Sequence, residues 1–209
     1  SSSLGCGQVL PCPYTADKAR IVVQEMIDGI SLELVEKRLV TDQLVLTVGY
    51  DIENLTRPEI RKVYKGPVTT DRYGRRVPKH AHGTWNLPRA TSSSSELLEA
   101  MAALYDKIVN PALLIRRMSL SACHVVNEKM AKEREQKETF EQLDLFTDYA
   151  KKEAKEKEEQ KKRERERRMQ EALLTIKKKY GKNAVLRGMN FEEGATAKER
   201  NGQIGGHQA

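Results

Sequence analysis

Aromatic residues are scarce in this chain: one Trp, three Phe and seven Tyr make up 5% of its 209 residues. Hydrophobic residues reach 38% against 32% charged, too little apolar material for every part of the chain to join a core. Cysteine is scarcer still. Cys6, Cys12 and Cys123 are odd in number and form no C-x-x-C pair. That argues against a disulfide framework and for a reducing, cytoplasmic setting. No apolar run approaches the roughly 20 residues that span a bilayer, and the opening does not read as a signal peptide, so no membrane partner is expected. The glycines of "GQIGGHQA" lack the G-x-x-x-x-G-K-[ST] spacing of a phosphate loop. His80 and His82 form an H-x-H without a nearby Cys or acidic ligand, so no metal site is expected there. Asp51 and Glu53, in "GYDIEN", are the one close acidic pair at a strand end. They read as a turn signal ahead of Asn54 rather than as a two-metal site. No catalytic residue and no small-molecule substrate are expected.

What is present is unevenly spread. Residues 1–127 read as packed protein, and residues 128–209 are mostly charge and small side chains. "GQVLPCPY" is short, apolar and ends at prolines, as an edge strand does. From Thr15, a plausible N-cap, Ile21, Val22, Met26, Ile27, Ile30, Leu34 and Val35 recur at helical spacing. In "DQLVLTVGYD" the alternation puts Leu44, Leu46, Val48 and Tyr50 on one strand face. Residues 51–80 carry Pro58, Gly66, Pro67, Gly74 and Pro78 and read as a long loop or β-excursion, and "AHGTWNLPRAT" adds a short extended piece. Ser93 and Glu96 have capping-box spacing ahead of Leu97, Met101, Leu104, Tyr105 and Ile108, a helix that Pro111 stops. "LLIRRMSLSACHVV" closes the half as a strand, with Met118, Leu120 and Ala122 on one face and Arg117, Ser119 and Ser121 on the other. The expectation is an α+β domain: a small four-stranded, mainly antiparallel sheet with two helices on one face and a polar, basic face opposite.

Charge has a place as well as a sum. The net charge is +7, and Arg57 to Arg89 holds nine Lys or Arg against Glu59 and Asp71, which is +7 in that segment alone. A localised basic patch is the footprint of a polyanion partner. Arg72, Arg75, Arg76, Lys79, Arg89, Arg116 and Arg117, with His82, Thr84, Thr91 and Ser92, suit phosphate contacts that position a protein on a duplex without reading sequence. Only Trp85 and Tyr73 could serve as stacking platforms, which argues against single-strand binding by base stacking.

The C-terminal part differs in kind. Residues 151–170 hold ten basic and six acidic residues, and Glu153–Lys157, Glu158–Lys162, Glu159–Arg163 and Glu164–Arg168 are Glu-to-base pairs at i,i+4. With no apolar seam, this is a solvated helix rather than a coiled coil. Residues 181–209 read as an appended motif or a disordered tail. Between them "FEQLDLFTDY" concentrates apolar residues: either Phe140, Leu143 and Phe146 form a turn that packs on the domain, or the segment is bait for another protein.

Several stretches together resemble one family. "GQVLPCPY", "VTDQLVLTVGYDIENL", "DRYGRRVPKHAHGT", "QLDLF" and "KKKYGKNAVLRGMN…TAKERNGQIGGHQA" are similar to the C-terminal half of bacterial Y-family DNA polymerases of the ImpB/MucB/SamB group, which act in translesion synthesis and repair of UV damage. The resemblance implies a little-finger DNA-binding domain over 1–127, a linker with a clamp-binding motif over 128–150, a charged helix over 151–180 and a tail over 181–209. It implies template–primer duplex DNA as one partner and the bacterial sliding clamp as another, with Gln142, Leu143, Asp144, Leu145 and Phe146 as the clamp-binding peptide. The family's Mg2+-binding carboxylates have no counterpart here, and Asp51 and Glu53 do not match them. A nucleotidyltransferase is therefore expected of the parent, with no activity from this chain alone; the start at Ser1 reads as a cut through a longer protein. The competing expectation is a non-catalytic basic module for nucleic acid or protein, with a helical tail.

Overall fold

In the computed structural model, which describes residues 2–141, 149–204 and 207–208, β1 (Ser2–Tyr14) leads into helix α1 (Ala16–Lys37) and then β2 (Leu39–Tyr50). Two short helices follow, α2 (Glu53–Thr56) and α3 (Pro58–Val63), and then a hairpin of β3 (Val68–Thr70) and β4 (Arg76–Pro78). β5 (Ala81–Thr91), α4 (Ser94–Ile108) and β6 (Ile115–Asn127) complete the half. The main sheet is antiparallel in the order β1-β6-β2-β5. The fold is α+β, with α1 and α4 packed together on one face of the sheet.

The chain forms these elements for local reasons. The Thr15 hydroxyl accepts the Lys18 N–H and starts α1, while Arg38 in the left-handed region (φ 54°) stops it, its N–H returning to the carbonyls of Leu34 and Val35. Ser93 caps α4 by accepting the Glu96 N–H. Alternation along β2 buries Leu44, Leu46 and Val48 completely, and across the register Leu46 lies opposite Leu120. These side chains meet Val22, Ile27 and Leu34 of α1 and Leu97, Met101 and Leu104 of α4 in one core. Truncating one such leucine to alanine costs about 2–5 kcal/mol by cavity formation. At the end of the core the buried Tyr105 hydroxyl donates to the Ala16 carbonyl at 2.6 Å, and burial pushes its phenol well above the usual range. β1 is an edge strand, and its register breaks between Val9 and Tyr14, where Pro11 and Pro13 cannot donate to a ladder.

Residues 51–80 hold more structure than a loop. Arg57 is extended ahead of Pro58 at the first position of α3. Asn54, fully buried, donates to the carbonyls of Asp51 and Leu114 and accepts the Leu114 N–H at 2.7 Å, which ties α2 to the start of β6.

The C-terminal part is also more ordered than expected. Residues 128–141, expected as linker, form helix α5 (Glu128–Glu141). α6 (Tyr149–Tyr180) is solvated at its start, but its second half docks on the domain. Gln170 is buried, its amide donating to the Ser31 hydroxyl, the Ser92 carbonyl and the Ser94 hydroxyl at 2.9–3.0 Å. Glu166 accepts from Ser93 and Ser95 at the N-terminus of α4, where the helix dipole favours a carboxylate. Arg167 reaches Glu128 at 3.0 Å and so ties α6 to the first residue of α5. Beyond α6, a 3-10 turn (Gly188–Phe191) and α7 (Ala197–Arg200) lie against α1. There the buried Glu25 carboxylate accepts the Asn190 amide and the N–H groups of Thr196 and Ala197.

Candidate nucleic-acid interface

The sheet face away from α1 and α4 is defined by its register. Val9, Arg117 and Gly49 form one row across the strands; Gly7, Ser119, Thr47 and His82 form the next; Gly5, Ser121, Val45 and Thr84 form a third. Gln43 and Asn86 lie beyond them. None of these residues is acidic. Arg117, Ser119, His82, Thr84 and Asn86 are exposed. A Cβ on Gly49 would come within 2.7 Å of the Arg117 Cγ and 2.8 Å of its Nε, so the missing side chain is what lets Arg117 lie along the sheet. His80, Val9, Thr47 and Arg117 line an open groove of about 490 Å³ at this end. Thr47 Oγ1 stands 2.8 Å from the His82 Nδ1 and fixes the ring over the face.

The β3–β4 hairpin carries Arg72, Arg75, Arg76 and Lys79, all exposed. Its turn is organised by Asp71, whose Oδ1 accepts the N–H groups of Tyr73 and Arg75 and whose Oδ2 takes the Arg75 Nε, each at 2.9 Å. The Arg75 N–H, ahead of the other contacts, holds the Asp71 carboxyl below its ordinary range. Gly74, at φ 79°, supplies the left-handed residue that the turn needs.

The sequence-expected interface therefore divides. Arg117, His82 and Thr84 share the open face, and Arg72, Arg75, Arg76 and Lys79 share the hairpin. Arg89 and Thr91 belong to neither. Both bind Glu96 at the start of α4, Arg89 at 2.6 Å, and Thr91 is buried, so both side chains are engaged on the helix side. Ser92 is likewise buried and bound by Arg167 and Gln170. Arg116 points off the row toward Asp51, 3.9 Å away. Trp85 packs against the helix-side core, which leaves Tyr73, of these two, as the exposed ring. Thr47, Gln43 and Asn86 were not expected on the face. Alternation with Leu44, Leu46 and Val48 already points Gln43 and Thr47 there, and the cross-strand register sets Asn86 opposite Gln43. Gln142, Leu143, Asp144, Leu145 and Phe146 lie outside the described residues.

Asp51 and Glu53 do not fit a metal pair. The Asp51 Oδ1 accepts the Glu53 N–H at 2.8 Å, and the Glu53 carboxylate is clasped by Arg57. Among the described residues no cluster of three or more His, Cys, Asp or Glu could hold a metal ion, and no helix is long and apolar enough to cross a membrane. No protein-family model matches the chain, and no curated protein matches it.

Proposed function

We propose that this chain is the DNA-gripping and clamp-tethering region of a translesion DNA polymerase of the Y-family type, acting in tolerance of DNA damage. The observation that carries the reading is the sheet face opposite the helices: the rows named above carry hydroxyl, amide, imidazole and guanidinium groups and no carboxylate, and a cationic hairpin accompanies them. Four strands stand about 14 Å apart from edge to edge, wider than the roughly 12 Å major groove, so the face meets phosphates on the groove's lips rather than base edges. Binding is then salt-sensitive and weakly dependent on sequence. The four-stranded sheet backed by two helices is the architecture that the resemblance implies for a little finger, which further supports the reading.

The test is duplex affinity of the full chain, measured by fluorescence anisotropy over a salt series. Arg117→Ala is expected to reduce the slope of log affinity against log salt by about 0.9, one phosphate contact. Arg20→Ala, on the helix side where Arg20 pairs with Asp106, leaves the slope unchanged. An Arg117→Ala slope equal to the parent's removes the sheet face from the interface.

The tether is the second half of the proposal. A short peptide that seats Leu145 and Phe146 in an apolar pocket, with Gln142 fixing register, binds modestly alone. On a ring threaded by DNA it raises the local concentration of polymerase at the primer end. Leu145→Ala with Phe146→Ala is expected to abolish capture by a bacterial sliding clamp in a pull-down while duplex affinity stays at the parent value.

A further inference from the structure

The tip of the β3–β4 hairpin presents an aromatic ring that no core supports. Tyr73 is 64% exposed, and the groups over its ring are the guanidinium carbons of Arg72 at 4.7 Å and Arg75 at 5.1 Å. The backbone beneath it is fixed. Besides the bonds to its carboxylate, Asp71 donates its N–H to the Arg75 carbonyl at 2.8 Å and accepts the Gly74 N–H at 3.0 Å. The Asp71 side chain is only 5% exposed, so its charge is spent inside the turn. From Lys65 to Lys79 there are five cations and one carboxylate, five minus one being +4. Among the described residues Arg72, Arg76 and Lys79 have no carboxylate partner in an ion pair. A pre-shaped tip of this kind loses little freedom on binding, and its charge selects a polyanion.

The ring selects further. In a duplex both faces of each base are covered by neighbouring bases, so a phenol gains a stacking partner only where a base is unstacked. We infer that the hairpin tip recognises unpaired bases beside a duplex: Tyr73 stacks on a base of the single strand while Arg72, Arg76 and Lys79 hold the flanking phosphates. Stacking tolerates any base, because every base has a π-face. The Arg72 guanidinium exchanges its weak, exposed cation–π contact for a phosphate, while Arg75 stays with Asp71 and keeps the turn in shape. This rests on the DNA-binding reading and adds to it a preference for junctions that the sheet face does not supply.

The experiment uses the full chain and three labelled DNAs: a blunt duplex, the same duplex with a single-stranded overhang, and that overhang made abasic. The abasic strand keeps the phosphates and removes the bases, which separates stacking from charge. The parent is expected to prefer the base-bearing overhang over the abasic one by roughly fivefold or more. Tyr73→Ala removes that preference and leaves blunt-duplex affinity alone; Tyr73→Phe, which keeps the ring, retains it. Equal parent affinity for the two overhangs overturns the inference, as does a Tyr73→Ala loss equal on all three DNAs. Salt-insensitive or absent binding to the blunt duplex overturns the DNA reading itself, a distinct result. Unchanged thermal melting of both variants confirms that the exposed tip carries no fold stability.

Discussion

Glu96 shows how one side chain can serve the fold at a position that charge alone would assign to a ligand. Burial is the largest influence on its carboxyl and pushes its pKa up, but the Thr91 hydroxyl, the Arg89 hydrogen bond and the charges of Arg89 and Arg163 outweigh it, and the net shift is downward. A carboxylate with a depressed folded pKa adds stability that is fully present above its unfolded value, near 4.5, and is lost as pH falls through the folded value. The group is a third exposed, so the contribution is modest, below about 1 kcal/mol. Glu96→Gln is therefore expected to be less stable than the parent at neutral pH, with the gap closing as pH falls below about 4.5; urea melts across that range measure it. A constant gap would mean that Glu96 acts through packing alone. The reactivity of the thiols follows the same logic of burial. Cys6 packs against the core and is pushed up to about 11, chiefly by loss of water, so it stays a thiol at neutral pH.

Among the elements, those with period and caps were legible. α1 and α4 have Thr15 and Ser93 at their starts and unbroken apolar stripes, and β2 from Leu44 to Val48 and β6 from Met118 to Ala122 alternate over the core, so the sequence places all four. Helices α2 and α3 were read as loop because four and six residues do not display a 3.6-residue period, and prolines and glycines around them carry turn signals. Arg89 and Thr91 lie off the open face for a different reason. Gly83 and Trp85 alternate onto the packed side of β5, and Arg89 continues their parity toward Glu96; its charge suggested a surface role that its parity did not support. The docking of α6 was illegible to any search for an apolar seam, since Gln170, Glu166 and Arg167 attach it through hydrogen bonds to serines and Glu128. Such a contact looks, in one dimension, like any solvated charge run. The candidate face was half legible: alternation gives Arg117, Ser119 and Ser121 and, against Leu44, Leu46 and Val48, implies Gln43 and Thr47, while the register sets these in rows with His82, Thr84 and Asn86.

At the scale of the molecule the open sheet face lies opposite the helices, while α6 is anchored at the start of α4 and the tail on α1 and the edge strand β1. The tail's anchors are polar and aimed at α1 and β1. Arg187 holds Asp28 through Nε at 3.0 Å and Nη2 at 2.9 Å, Glu25 takes the Asn190 amide and the Thr196 and Ala197 N–H groups, and Gln8 bonds Thr196 and Arg200 at 2.7 Å. Cutting the chain after Tyr180 exposes Glu25 and Asp28 to water rather than orphaning them, and it frees the tail from an ordering cost, so the loss is what these bonds are worth beyond that entropy, about 2 kcal/mol in total. For a chain of this size that lowers Tm by about 4–8 °C. The cut removes four cations and three carboxylates, so the net charge falls only from +7 to +6. Because the tail's anchors are on α1 and on the helix-side parity of β1, duplex affinity at 25 °C is expected to stay at the parent value while the melting transition moves down. An unchanged Tm would mean that the tail lies on α1 without stabilising it. A fall in affinity well beyond one unit of charge would carry the interface around β1, through Gln8, onto the tail.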